Sequence, residues 1–123
     1  MDSLRIFIVD DDVDFAEALA EVIKAEGHDV ECAHTGAEAV ARFRENDFDI
    51  AFMDVKLPDM NGVESLFEIR RLKPDAKVMM MTGFSVEELL QQAVEGGAFG
   101  VLHKPFAPAA LLAAIEAMMT EAR

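Results

Sequence analysis

Residues 49–64 read DIAFMDVKLPDMNGVE, and this stretch decides the fold. Its first part, Asp49–Val55, is a dense apolar run without strict polar alternation, which is typical of a strand buried on both faces of a parallel sheet. Asn61 stands three residues before Glu64, the spacing of a helix-capping box. The stretch therefore predicts a buried strand, a short loop and the start of a helix.

The same alternation of strand and helix extends in both directions along the chain. Short apolar runs predict four further strands at Leu4–Val9, Val30–Ala33, Lys77–Met81 and Phe99–His103. Three segments repeat apolar residues at helical spacing, namely Phe15, Leu19, Val22 and Ile23, then Val86, Leu89, Leu90, Ala93 and Val94, and then Leu111, Leu112, Ile115, Met118 and Met119. Strands that alternate with helices predict an α/β fold, with a five-stranded parallel sheet and five helices on its two faces.

The boundaries of the helices carry their own signals. Thr35 and Ser85 each precede a glutamate by three residues, which predicts two further helix starts. Gly27 and the pair Gly96-Gly97 stand where helices are expected to end, because glycine tolerates the left-handed conformation of a C-cap. Pro108 fits the first turn of the last helix, where its missing N–H costs nothing.

The composition restricts what the protein does. Its 123 residues are 52% apolar, enough for one folded domain with a core. The 24 acidic against 11 basic residues give a formal net charge of −13, which argues against direct nucleic-acid binding. A single cysteine, Cys32, suits a reducing compartment, and no signal peptide or membrane-spanning run is visible. We expect one cytoplasmic domain over 1–123, with no effector domain and no membrane contact.

Polar residues stand at the predicted exits of four strands. They are Asp10, Asp11 and Asp12 after the first strand, Asp54 at the end of the third, Thr82 after the fourth and Lys104 after the fifth. Because the carboxyl ends of parallel strands meet at one edge, we expect these side chains to converge. Packed carboxylates repel each other unless a cation neutralises them, and an all-oxygen site favours Mg²⁺. Since a carboxylate can act as a nucleophile, the set predicts phosphoryl transfer to an aspartate.

The motifs that carry these residues resemble those of response-regulator receiver domains of two-component signalling, including the chemotaxis regulators. They are Val9-Asp10-Asp11, the run from Asp54 through Pro58 to Gly62, Met81-Thr82-Gly83 and Lys104-Pro105-Phe106, in the order found in the family. The resemblance covers essentially the whole chain. It implies a flavodoxin-like (βα)5 fold with strand order 2-1-3-4-5.

The resemblance also implies a role for each site residue. Asp54 matches the aspartate that accepts a phosphoryl group from a sensor histidine kinase or a histidine phosphotransfer protein. Asp10 and Asp11 match the acidic pair that binds Mg²⁺ together with Asp54 and the backbone carbonyl of Lys56. Thr82 and Lys104 match the hydroxyl and the amine that contact the phosphoryl group, and the Lys104-Pro105 bond matches a cis peptide bond. Such a domain catalyses only its own phosphorylation and slow dephosphorylation.

The output expected from the resemblance is a change of surface. Phosphorylation would alter the region 84–106 and the face formed by helix 4, strand 5 and helix 5, which would bind a downstream effector or a second copy of the chain. Val101 occupies the position of the family's aromatic switch, so Phe84 or a backbone shift is expected to replace that switch. Lys56 and Asp12 stand where the family tunes phosphate lifetime, and we hypothesise that the two pair across the pocket mouth.

Two other functions remain open at this point. The spacing Asp10-x-Asp12 suggests a phosphatase of the haloacid dehalogenase type, although Asp14 stands where that motif has Thr or Val. A receiver-like module that binds partners without phosphorylation is the second alternative. A flavin-binding flavodoxin is disfavoured because three aspartates would repel the flavin phosphate. The histidines, His28, His34 and His103, show no metal-ligand spacing and are interpreted as structural or surface residues.

Overall fold

The computed structural model describes residues 3–83 and 87–120 as five strands that alternate with five helices. The strands are β1 (Arg5–Val9), β2 (Asp29–Ala33), β3 (Ile50–Asp54), β4 (Val78–Thr82) and β5 (Gly100–His103). The helices are α1 (Val13–Ala25), α2 (Gly36–Glu45), α3 (Gly62–Leu72), α4 (Glu87–Glu95) and α5 (Pro108–Thr120). Each predicted strand is present, with ends that differ from the predicted ones by at most one residue.

The strands form one parallel sheet in the order β2-β1-β3-β4-β5, which confirms the predicted fold and strand order. All five residues of β3 and of β4 are buried, as their dense apolar runs predict. The chain leaves β1 towards β2 on one side and returns to β3 on the other. This reversal brings the carboxyl ends of β1 and β3 together at the crevice where open α/β sheets bind ligands.

Alternate residues of each strand enter two separate cores. Phe7, Val9, Met53 and Met80 lie in a core that also contains buried residues of α2 and α3, together with Ala93 of α4. The opposite core combines the remaining strand side chains with buried residues of α1 and α5. The helices therefore cover both faces of the sheet, and the residues at the strand ends have a rigid base.

The predicted helix boundaries are confirmed at most positions. Thr35 caps α2, and Asn61 forms a capping box with α3. Gly27 and Gly97 both have positive φ, at 95° and 96°, just after α1 and α4. The last helix begins at Pro108, which confirms that this proline lies in its first turn.

Two apolar positions expected on buried helix faces are exposed. Val94 and Met119 have exposed fractions of 59% and 40%, so the prediction that they face the core is wrong. Ala93 and Met118, their neighbours in sequence, are fully buried. Ser85, Val86 and Phe84 lie outside the described residues. Within 3–83 and 87–120, none of the helices combines the length and apolar character required to cross a membrane.

Candidate functional site

The register of the sheet brings the predicted site residues together at its carboxyl edge. Val9 of β1 pairs with Met53 of β3, so Asp10 and Asp54, one residue further along each strand, become neighbours. Thr82 is the last residue of β4 and pairs with His103, which places Lys104 just beyond it. The predicted convergence of Asp10, Asp54, Thr82 and Lys104 is therefore a direct result of strand pairing.

Lys104 connects the two buried aspartates. Its Nζ atom donates hydrogen bonds to Asp10 Oδ2 at 2.6 Å and to Asp54 Oδ2 at 3.1 Å. Asp10 is fully buried, and Asp54 is 8% exposed. One ammonium group is thus shared between two buried carboxylates, and both contacts are charge-assisted.

The site holds more negative than positive charge. A carboxylate oxygen from each of Asp10, Asp11 and Asp54 lies within 4.8 Å of the other two, and Asp11 is exposed. Burial raises the pKa of Asp54, and the negative charge of Asp10 raises it further. The hydrogen bond from Lys56 N–H and the positive charge of Lys104 oppose this rise without cancelling it. Asp54 is therefore an incompletely neutralised carboxylate.

The Lys104 ammonium is held in its charged form. Burial alone would lower its pKa, but the hydrogen bond to Asp10 and the charges of Asp54 and Asp10 outweigh burial and raise the pKa. Nζ also lies 4.4 Å from the centre of the Phe15 ring, and this ring makes an edge-to-face contact with Phe106 at 5.9 Å. The aromatic pair supplies an apolar wall and a cation–π contact, which direct the ammonium towards the acids.

Asp54 is fixed by the loop that follows it. Lys56 N donates to Asp54 Oδ1 at 3.2 Å, and Gly62 N donates to the Val55 carbonyl at 2.5 Å. A Cβ atom on Gly62 would lie 2.1 Å from the Asp54 carbonyl oxygen, so α3 reaches the end of β3 only because residue 62 has no side chain. This close approach explains why the run from Asp54 to Gly62 ends in glycine.

Comparison with known proteins gives the same assignment as the geometry. The profile of the response regulator receiver domain matches residues 6–116. The chain belongs to this family. It is 41% identical to a response regulator receiver protein of Anaeromyxobacter sp. (strain Fw109-5) over 84% of this chain and 43% of that protein. It thus spans less than half the length of the first curated relatives it matches.

Solved structures of receiver domains show the same fold. A CheY-like receiver domain protein from Methanospirillum hungatei JF-1 superposes with a TM-score of 0.95 at 35% identity, covering 98% of this chain and 96% of that one. A response regulator from Burkholderia pseudomallei superposes with a TM-score of 0.84 at 29% identity, covering 98% of this chain and 74% of that one. That structure carries a phosphorylated aspartic acid, a calcium ion and citrate.

The remaining receiver-domain features of the sequence lie at the same edge. Thr82 is 2% exposed, and its carbonyl accepts a hydrogen bond from Lys104 N at 2.7 Å. The Lys104-Pro105 peptide bond is cis, as the resemblance implies. Val101 lies within β5 opposite Met80 and packs against the core beside it. β4 and β5 are therefore joined directly at the site.

Asp12 has a role that the pairing hypothesis does not include. Its Oδ1 atom accepts a hydrogen bond from Phe15 N at 3.1 Å and caps α1, while Asp12 N donates to Asp10 Oδ1 at 2.9 Å. Capping anchors the start of α1 directly beside Asp10. The pairing of the Asp12 carboxylate with Lys56 stays a prediction, which the dephosphorylation rate of Lys56→Ala would check.

Sequence reasoning missed two residues that hold the site loops together. Asp59 accepts hydrogen bonds from Gly36 N at 2.8 Å and Ala37 N at 2.9 Å, and these bonds lower the pKa of its carboxyl group. The Nδ1 atom of His34 lies 2.9 Å from the Asp10 carbonyl oxygen. Asp59 stands inside the run from Asp54 to Gly62, where its acidity was a usable signal. No sequence pattern identifies His34 as a site residue, because its contact with the Asp10 carbonyl depends on the path of a loop.

The acidic residues fit a hard divalent cation. All the side-chain donors are carboxylate oxygens, which Mg²⁺ and Ca²⁺ prefer, and the exposed Asp11 leaves room for the waters that Mg²⁺ retains. The cluster brings three carboxylates together around one ammonium group, so Lys104 balances only part of the formal charge at the site. A cation at the cluster would remove the remaining repulsion.

Proposed function

We propose that this receiver domain is a phosphorylation-dependent switch in which Asp54 accepts a phosphoryl group. The observation that carries the proposal is the sharing of the Lys104 ammonium between Asp10 and Asp54 at the carboxyl edge of the sheet. Asp54 is fixed through Oδ1 by Lys56 N–H and through Oδ2 by Lys104. A carboxylate oriented in this way presents its lone pairs to an incoming electrophile without further rearrangement.

The cation expected at the site is Mg²⁺, held by the carboxylates of Asp10, Asp11 and Asp54 and by the backbone carbonyl of Lys56. When bound, it supplies positive charge that offsets the oxygens of the phosphoryl group. The structure from Burkholderia pseudomallei carries a calcium ion, which supports the binding of a divalent cation by a protein of this fold. The carboxylates of this chain would fix the position of the group that reacts with Asp54.

The transfer step makes one bond and breaks one bond. An oxygen of Asp54 forms a bond to phosphorus, the bond from phosphorus to the donor histidine nitrogen breaks, and the imidazole leaves with its electron pair and takes up a proton. The Lys104 ammonium, already 3.1 Å from Asp54 Oδ2, would pair with a phosphoryl oxygen, and Thr82 would donate its hydroxyl hydrogen to another. A sensor histidine kinase or a histidine phosphotransfer protein is the expected donor.

The expected output is a rearrangement of β5 and the elements beside it. Phosphorylation replaces the single negative charge of the Asp54 carboxylate with a phosphoryl group that carries about 1.5 to 2 negative charges, and Lys104 can then satisfy only part of the negative charge around it. Because Lys104 N is bonded to the Thr82 carbonyl, movement of Lys104 is transmitted to the contact between β4 and β5. The face formed by α4, β5 and α5 is therefore the proposed surface for an effector or a second copy of the chain.

Incubation with acetyl phosphate and Mg²⁺ tests the proposal. Intact-mass measurement should show the addition of one phosphoryl group to the wild type and none to Asp54→Asn. Asp49→Asn is a matched control, because Asp49 is an aspartate at the opposite edge, where its carboxylate accepts a hydrogen bond from Arg5 N. Continuous release of phosphate would instead indicate a phosphatase, and an unmodified wild type would indicate a module that acts without phosphorylation.

A further inference from the structure

His34 is tied to the backbone between two of the proposed metal ligands. It follows β2 directly, and its Nδ1 atom lies 2.9 Å from the carbonyl oxygen of Asp10. A carbonyl oxygen only accepts hydrogen bonds, so chemistry assigns the proton to Nδ1 of His34. The ring thus acts as a donor to the peptide group that joins Asp10 to Asp11.

The backbone that carries this ring is fixed by the start of α2. His34 N donates to Glu38 Oε1 at 3.0 Å, while Glu38 N donates to Thr35 Oγ1 at 3.1 Å. Thr35 therefore caps α2, and the Glu38 side chain holds the backbone N–H of the residue that precedes this cap. Because the backbone of His34 is already fixed, its ring loses little conformational entropy when it forms the hydrogen bond to the Asp10 carbonyl.

The same turn also holds the loop on the other side of the site. Asp59 binds the N–H groups of Gly36 and Ala37, and it belongs to the loop that carries Lys56. The β2–α2 turn, residues 34–37, thus contacts both loops from which the metal ligands are expected, although it provides no ligand itself. Hydrogen bonds of this kind orient ligands in metal sites and commonly change metal affinity 10–100-fold when removed.

We propose that His34 is a positioning residue that fixes the Asp10-Asp11 peptide for cation binding. Asp10 is fully buried directly after β1, whereas Asp11 is exposed. The orientation of the peptide between them decides where the Asp11 carboxylate lies, and the His34 ring sets that orientation. This inference rests on the proposed function, because it concerns the same cation site.

Calorimetric titration with Mg²⁺ alone tests the inference in four proteins: wild type, His34→Ala, His34→Asn and His28→Ala. We expect His34→Ala to bind Mg²⁺ about tenfold more weakly than the wild type. His34→Asn should recover most of the affinity, because its amide nitrogen can occupy the position of Nδ1. His28→Ala is the matched control, since His28 Nδ1 also bonds to the β1 backbone, accepting from Leu4 N at the opposite edge.

Thermal unfolding of the same variants separates positioning from stability. His28→Ala should lower the melting temperature and leave the Mg²⁺ affinity unchanged. The inference is overturned if His34→Ala binds Mg²⁺ like the wild type, if His34→Asn is as weak as His34→Ala, or if His28→Ala weakens binding equally. A wild type that binds no Mg²⁺ would overturn the proposed metal site as well, and that result is distinct from the other three.

Discussion

The two ends of β1 differ in how their polar groups are matched. At the amino end, Leu4 N donates to His28 Nδ1 at 3.1 Å and Arg5 N donates to Asp49 Oδ2 at 2.8 Å. The carbonyls of Leu4 and Arg5 accept hydrogen bonds from Asp29 N and Asp49 N, both at 2.8 Å. Donors and acceptors at this end are therefore paired across to both neighbouring strands.

At the carboxyl end, the charges are unequal. Asp10, Asp11 and Asp54 lie close together, and Lys104 neutralises them only in part. Each end also has a histidine, which accepts a hydrogen bond at the amino end and donates one at the carboxyl end. The comparison shows that stability and ligand binding are served by opposite ends of one strand. The amino end of β1 favours stability, and the carboxyl end retains a repulsion between carboxylates that a ligand can relieve.

The largest expected effect comes from the one close contact that holds the carboxyl end together. Gly62→Ala would place Cβ 2.1 Å from the Asp54 carbonyl oxygen and push α3 away from β3. We expect a loss of about 3 kcal/mol or more in the free energy of unfolding, measured by urea denaturation. Gly83→Ala is the control, because its Cβ would meet no described atom within 4 Å. Equal losses in both variants would show that the approach of α3 is not restrictive.

The next effect concerns the amino end. His28 is 7% exposed, and His28→Ala removes the acceptor of Leu4 N. An unpaired buried N–H costs about 1–3 kcal/mol, so the midpoint of urea unfolding should fall accordingly. His103→Ala, at an exposed position of β5, should change stability by less than about 0.5 kcal/mol. If both variants are equally stable, the pairing at the amino end contributes nothing.

The sequence predicts the fold and the main site residues for a common reason. Strands recognised from short apolar runs in a parallel sheet all end at one edge, so Asp10, Asp54, Thr82 and Lys104 had to meet once the strands were placed. The motifs fixed the strand order through the family resemblance, which apolar periodicity alone does not supply. The apolar runs therefore predict which residues meet at the site, and the motifs predict the order of the strands.

Other features depend on tertiary neighbours and escape the sequence. Helical spacing identifies an apolar arc, but it does not show which residues another element covers, so Val94 and Met119 were misassigned. The bonds of His34 to Asp10 and of Asp59 to α2 join loops that are distant in sequence. Their existence depends on loop paths, which residue types at fixed spacing do not encode.

Removing negative charge at the carboxyl end should raise the free energy of unfolding, whereas Gly62→Ala and His28→Ala should lower it. Burial raises the folded-state pKa of Asp54 above its unfolded value, so between these values the folded chain binds more protons. The free energy of unfolding therefore falls as pH rises through this window, and the loss is complete above the folded pKa. Asp54→Asn has no such loss and should be more stable than the wild type by roughly 0.5–2 kcal/mol at neutral pH without metal.

Urea unfolding as a function of pH checks this sign. The advantage of Asp54→Asn should shrink as pH falls through the window between the folded-state and unfolded-state pKa values of Asp54. It should be absent below the unfolded-state pKa, near 4 for a model aspartate, because the wild-type carboxyl group is then protonated in both states. Asp49→Asn, at the amino end, should show no such pH-dependent advantage. An advantage of Asp54→Asn that is independent of pH would contradict the assignment of the repulsion to the Asp54 charge.

The smallest effect is expected at Asp11, and its sign should depend on the cation. Asp11 is exposed, so Asp11→Ala relieves only screened repulsion and should raise the melting temperature slightly in metal-free buffer. With Mg²⁺ in large excess, a protein that binds the ion only when folded gains stability in proportion to RT ln(1 + [Mg²⁺]/Kd), and Asp11→Ala should lose most of that gain. The wild type should then be the more stable protein. Asp29 is an exposed aspartate of β2, so the difference in melting temperature between Asp29→Ala and the wild type should be the same in both buffers. If Asp11→Ala melts above the wild type both with and without Mg²⁺, the excess negative charge at the carboxyl end is not relieved by a cation.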